Sequence, residues 1–109
     1  MKRFHKLWRK DFNEACLLRD KYQCVFCDKK ENLQVHHIKD RHEMPNSGYV
    51  LANGITVCEE HHLLCEEYHM YDGVCIPMYH PDALYKIIGS SYLEAFMESE
   101  KLYPNYDKE

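Results

Sequence analysis

Two short chelating pairs constrain this chain more than anything else in it. Cys24 and Cys27 are spaced C-x-x-C, and Cys58 and His61 are spaced C-x-x-H some thirty residues later. The first pair falls in a tight knuckle and the second at a helix start. Together they read as a closed four-ligand zinc site, because zinc favours a tetrahedron of thiolate and imidazole. Such a site would tie the N-terminal half to a central helix. The binding free energy, on the order of 10 kcal/mol, is comparable with the whole folding free energy of a small domain. A redox C-x-x-C would need a strand-to-helix setting that is missing here.

With 109 residues the chain has the length of one domain, for which such a staple is useful. The expectation is a single unit over 1–109. Apolar runs fall well short of the roughly 20 residues of a membrane span, and MKRFHKLWRK lacks the apolar segment of a signal peptide. The chain is therefore expected in a cytosol, away from membranes. Thiols stay reduced there, so the six cysteines read as metal ligands and core residues rather than disulfides. Cys16, Cys65 and Cys75 lack partner spacing and read as buried or surface thiols.

Net charge is −4, which argues against coating nucleic acid by bulk charge. The distribution is uneven: residues 1–42 carry +5 and residues 43–109 carry −9. The cluster Lys2, Arg3, Lys6, Arg9 and Lys10 fits either a phosphate-contacting arm or a solvated helix face.

Periodicity supplies the elements. Trp8, Phe12, Ala15, Leu18 and Tyr22 form one stripe of a helix over about 6–22. "NLQVHHI" reads as a strand with Leu33, Val35 and His37 on one face and Gln34, His36 and Ile38 on the other. Residues 39–53 read as a long loop, of the kind that is usually functional, and "ITVC" as a second strand. A helix follows from Cys58 or Glu59 to about Tyr71, ended by Asp72-Gly73, with Leu63 and Leu64 toward the core. "VCIPMY" reads as an edge strand and Asp82–Ile88 as a short helix. Ser91 and Glu94 form a capping box opening a last helix through Leu93, Phe96 and Met97. A loose tail is expected from Tyr103.

His36 and His37 stand side by side in the first strand, and adjacent strand residues point to opposite faces. Two jobs are implied. With His61 assigned to zinc, His62 is free. If His36 and His62 both face the groove between strand and helix, they would hold one divalent ion with water positions open, as a catalytic site requires. His62, Glu66 and His69 share one helix face at i, i+4 and i+7, so Glu66 and His69 are candidates for extra ligands or phosphate contacts. Arg41 and His42 are weaker phosphate-contact candidates.

The string "CVFC … LQVHHIKD … NGITVCEEHH" resembles the HNH endonucleases, the ββα-metal nucleases, and particularly small phage and bacterial members in which zinc-binding pairs bracket the motif. The resemblance covers about residues 19–71. It implies an α+β fold: a small zinc-stapled, treble-clef-like ββα-metal domain with a flanking N-terminal helix and C-terminal helices. It also implies DNA phosphodiester hydrolysis, nicking or double-strand cutting, in a bacterial or phage-infected cell, with 5′ phosphate and 3′ hydroxyl products. His36 and His62 would hold the catalytic ion, His37 would be the general base, and Asn53 would hold the loop and help fix that base. Many relatives carry a second C-x-x-C where this chain has Cys58-x-x-His61. Many also have aspartate at the place of His36, and a neutral ligand there shifts preference from magnesium toward manganese, nickel or zinc. DNA is the implied partner, with a homodimer or a phage or host DNA-processing protein as a source of specificity. The alternatives are a zinc-stapled nucleic-acid-binding module without cleavage, or a docking subunit of a DNA-processing assembly.

Overall fold

In the computed structural model, which describes residues 8–102, the chain is a small α+β unit with a two-stranded antiparallel sheet and four helices. Helix α1 spans Trp8–Arg19, strand β1 Leu33–His37, strand β2 Gly54–Cys58 and helix α2 Glu59–Met70. Two short helices, α3 (Pro81–Ile87) and α4 (Tyr92–Glu100), close the C-terminal side. Lys2, Arg3, Lys6, the Trp8 side chain and the tail from Tyr103 lie outside the described residues.

The strands pair from Leu33 opposite Cys58 to His37 opposite Gly54. One face of this hairpin meets α1. There Gly54 is required: a Cβ would stand 2.5 Å from both the Cys16 sulfur and the Phe12 ring. The closeness sets the rotation of α1. Phe12 and Cys16 are its buried residues, while Leu18 is 69% and Tyr22 45% exposed, so the expected stripe through Ala15, Leu18 and Tyr22 is turned outward. The helix also ends earlier than expected, since Lys21 and Tyr22 have left-handed backbone (φ 62° and 55°). Its end is pinned to β2. Arg19 donates to the carbonyls of Leu51 and Gly54, and Asp20 accepts the Thr56 backbone N–H at 3.0 Å. Val25 N–H completes the cover by donating to the Thr56 carbonyl.

The other face meets α2. Cys58 is its N-cap residue, Glu59 and Glu60 fill the first turn, and the chain turns away at Asp72 (φ 53°) and Gly73 (φ 91°). Cys65 is the buried residue of this helix, and Leu63, expected inside, is 62% exposed. Burial pushes the thiols of both surplus core cysteines, Cys16 and Cys65, up to about 12, which keeps them in the protonated form.

The long connection between the strands is ordered as three 3-10 turns, Arg41–Glu43, Pro45–Gly48 and Leu51–Asn53. The C-terminal helices buttress it. Asn46 donates to the carbonyls of Ser99 and Leu102 at the end of α4, and Tyr85 of α3 donates to Asn53 at 2.7 Å. The segment expected as an edge strand, "VCIPMY", is instead irregular up to a 3-10 turn at Pro77–Tyr79, where proline sits at a position that needs no N–H partner. Ser91 caps α4 as expected, accepting the Glu94 N–H at 3.0 Å. Ala95 and Ser99 form its buried side, and Leu93 and Met97 face outward.

Candidate metal centres and the cavity beside them

The two chelating pairs meet. Donor atoms of Cys24, Cys27, Cys58 and His61 all lie within 4.8 Å of one another, a set that could hold a metal ion. Cys27 and Cys58 sulfurs are 3.7 Å apart, and His61 Nδ1 is 3.2 Å from Cys58 and 3.7 Å from Cys24. The knuckle is built by backbone bonds from Cys24 N–H to Lys29 O and from Asp28 N–H to Cys24 O. Asp28 adopts φ 64°, and Phe26 N–H points at the Cys24 sulfur at 3.4 Å. Burial raises the Cys58 thiol, hydrogen bonding with His61 and the neighbouring cysteines outweighs it, and the result is about 6. Phe26 stacks on His61 with ring centres 5.2 Å apart, and Tyr79 meets Phe26 edge-on at 5.1 Å. Aromatic rings thus wall this cluster.

A second convergence stands beside it. His36, His62 and Glu66 offer donor atoms within 4.8 Å of one another. A single Glu66 oxygen lies 3.1 Å from His36 Nδ1 and 3.2 Å from His62 Nε2. The sequence pairs His36 with His62 and offers Glu66 and His69 as further ligands or phosphate contacts; the structure brings Glu66, one helical turn after His62, between the two histidines. The hydrogen bond from His36 holds the Glu66 carboxyl down at about 2. Burial pushes His36 the other way, toward the neutral ring. A neutral imidazole donating Nδ1–H to an ionised carboxylate satisfies both tendencies. His69 is near, its ring centre 5.6 Å from that of His36, but it stands outside the three-donor set.

A cavity of about 320 Å³ opens onto this cluster, lined among others by Arg9, Asn13, His37, Arg41, Tyr49 and Glu66. His37 occupies the α1 face of β1, opposite in sense to His36. It stacks on Phe12 (centres 4.6 Å, planes 24° apart) and meets Tyr49 edge-on at 4.9 Å. Burial, reinforced by His36 and Arg41, pushes its pKa down to about 4.

Asn53 is fully buried and spends its whole amide on the loop. Nδ2 donates to Lys39 O and Gly48 O, and Oδ1 accepts from Lys39 N–H and the Tyr85 hydroxyl. Two donors and two acceptors are the amide's full capacity, so nothing remains for His37. The expected loop-holding part is present; the orientation of His37 comes from Phe12 and Tyr49 instead. Gly48, with φ +67°, lets Asn53 approach, since a Cβ there would stand 2.8 Å from Nδ2.

Of the two phosphate-contact candidates after the first strand, Arg41 lines the cavity and His42 is not among its lining residues. Sequence reasoning passed over Tyr49, Asn13 and Tyr85. The first two gave no periodic signal. Tyr85 lies in a short helix whose importance comes only from the loop it touches. No helix among the described residues is long and apolar enough to cross a membrane. No protein-family model matches the chain, and neither a curated protein nor a solved structure does.

Proposed function

We propose that this chain is a metal-dependent endonuclease of the HNH type that hydrolyses DNA phosphodiester bonds, stapled by a structural zinc ion. One observation carries the reading: a histidine free of both donor sets, His37, shares a cavity wall with His62 and Glu66 of an open three-donor set.

Both sets fit the ions assigned. In a zinc tetrahedron with Zn–S near 2.3 Å, sulfurs stand about 3.8 Å apart, against 3.7 Å between Cys27 and Cys58. Cis ligands of an octahedral ion at about 2.1 Å stand about 3.0 Å apart, close to the 3.1 and 3.2 Å from Glu66 to its two histidines; for His36 to ligate through Nδ1, its proton would move to Nε2 when the ion binds. Three donors leave positions for water and phosphate. The carboxylate restores the anionic ligand that His36 removes relative to the family pattern, which makes manganese or magnesium competitive with nickel and zinc. When bound, this ion would offset charge on the phosphate and on the leaving oxygen.

The chain's residues do the rest. His37 takes a proton from the attacking water. Its low pKa keeps it in the accepting form at neutral pH, and an arriving phosphodiester, being negative, raises its basicity when it is needed. Phe12 and Tyr49 hold the ring. Asn53 is a positioning residue that holds the strand-exit loop.

The test is cleavage of a supercoiled plasmid with a panel of divalent ions under single-turnover conditions. His37→Ala is expected to lose about 10² to 10⁴ in rate while keeping both metals. His36→Ala and His62→Ala should recover part of their activity in excess metal, and His37→Ala should not. A His37→Ala protein that cuts at the parent rate ends this assignment. A parent that binds DNA and cuts with none of the ions points to a zinc-stapled binding module.

A further inference from the structure

Arg9 and Arg41 come from distant elements, α1 and the first 3-10 turn, yet both line one cavity with Tyr49 between them. Arg41 Nη1 lies 3.4 Å from the Tyr49 phenol oxygen. Burial alone would raise the Tyr49 pKa, but the two arginines outweigh it and lower it. A phenol is a weak counterpart for two guanidinium charges. Neither arginine forms an ion pair among the described residues. The nearest acid in sequence, Asp40, turns its carboxylate to the His42 N–H at 3.2 Å. Both arginines are exposed and both line the cavity. Two planar forks without an ion-pair partner among the described residues converge in one cavity, whose wall also carries the Asp40 and Glu66 carboxylates, and such forks are suited to phosphate oxygens.

Resting on the nuclease reading, we propose that Arg9 and Arg41, bridged by Tyr49, form a second phosphate subsite, separate from the His36/His62/Glu66 set, that takes the phosphate next to the one being cut. The cavity, at the lower end of the usual range of roughly 300–1,000 Å³ for ligand pockets, has room for a nucleotide unit and not for a duplex. The substrate is therefore gripped along one strand at two successive phosphates, one at the metal set and one at the arginines. The two grips are chemically different. The first acts on the bond that breaks, and the second only on binding and register.

The double variant Arg9→Ala/Arg41→Ala tests this with manganese added and two substrates, a short DNA oligonucleotide and bis(p-nitrophenyl) phosphate, which has a single phosphate. KM for the oligonucleotide should rise at least about tenfold, as loss of charge-assisted bonds implies. Hydrolysis of the single-phosphate ester, which reads only what the lost charges do to His37, should change much less than the oligonucleotide KM. The slope of log affinity against log salt for the oligonucleotide should fall by about 1. An unchanged oligonucleotide KM overturns the subsite. So does a parallel loss on both substrates, which would put the arginines on the scissile phosphate. If the parent hydrolyses neither substrate, the nuclease reading fails, and oligonucleotide affinity without added metal then decides the subsite alone: tighter binding by the parent supports it, and equal affinity overturns it.

Discussion

His61 and His62 are neighbours on one helix and serve opposite ends of the molecule's chemistry. His61 joins three cysteines in a four-donor set walled by Phe26 and Tyr79. His62 joins His36 and Glu66 in a three-donor set beside a cavity. The first set is complete in itself and reaches from the knuckle to the helix. The second is short of ligands and is flanked by a histidine that belongs to neither. Neighbouring helix residues point about 100° apart, so a helix fixed by the first set presents the second in a set direction. The difference is one of closure: a four-donor set that is complete beside a three-donor set that is open, with α2 as the link between them.

The sharpest way to break this comparison is to remove one ligand from each set. Cys58→Ser should unfold the domain, because the structural zinc proposed for this set would supply on the order of 10 kcal/mol and a small domain holds about as much in total. His62→Ala should leave a folded, zinc-containing protein. Circular dichroism with metal analysis reads both. A folded, metal-free Cys58→Ser protein would show that the four-donor set is dispensable.

A finer test addresses the ligand the sequence left uncertain. Glu66→Gln keeps the shape of the side chain but removes the charge between His36 and His62. Affinity of the open set for manganese should fall on the order of 100-fold, at or beyond the upper end for altered metal surroundings. The zinc content should not change. Calorimetric titration of the zinc-loaded protein measures it, and an unaltered affinity would place Glu66 outside the set.

What could be read from the sequence depended on whether local spacing or tertiary approach decides the feature. The C-x-x-C and C-x-x-H pairs, the two strands and α2 are local patterns, and the four-donor set meets as its spacing implies. Strand alternation put His36 and His37 on opposite faces without choosing between them, and the pairing of His36 with His62 came from the resemblance to the HNH motif. The rotation of α1 was not, since Phe12 and Cys16 are buried by what Gly54 lacks, a fact of approach between elements far apart in sequence. Asn53 was legible as a loop holder, but its saturation by Tyr85 and Lys39 was not. Tyr49 gave no signal, because its worth lies in side chains that meet it from other elements, Phe12, His37 and Arg41 among them.

The smallest effect concerns pH and separates the two histidines that began as neighbours in one strand. His37 has a folded pKa of about 4, below its ordinary value of about 6.5. Between those values the unfolded chain binds the proton and the folded protein does not, so stability is lost as pH falls from 6.5 toward 4. Linkage gives about 2 kcal/mol lost from this group between pH 7 and pH 5. His37→Gln cannot take up that proton, so its stability should fall less over the same interval by about that amount. The donors of the two sets also titrate on acidification, but they are common to both proteins and cancel in the difference. Urea unfolding of parent and variant at pH 7 and pH 5 supplies the four free energies needed. Parallel acid losses would mean that His37 is not held neutral by its burial against Phe12 and Tyr49, and the account of how the open side keeps a proton acceptor ready would have to be replaced.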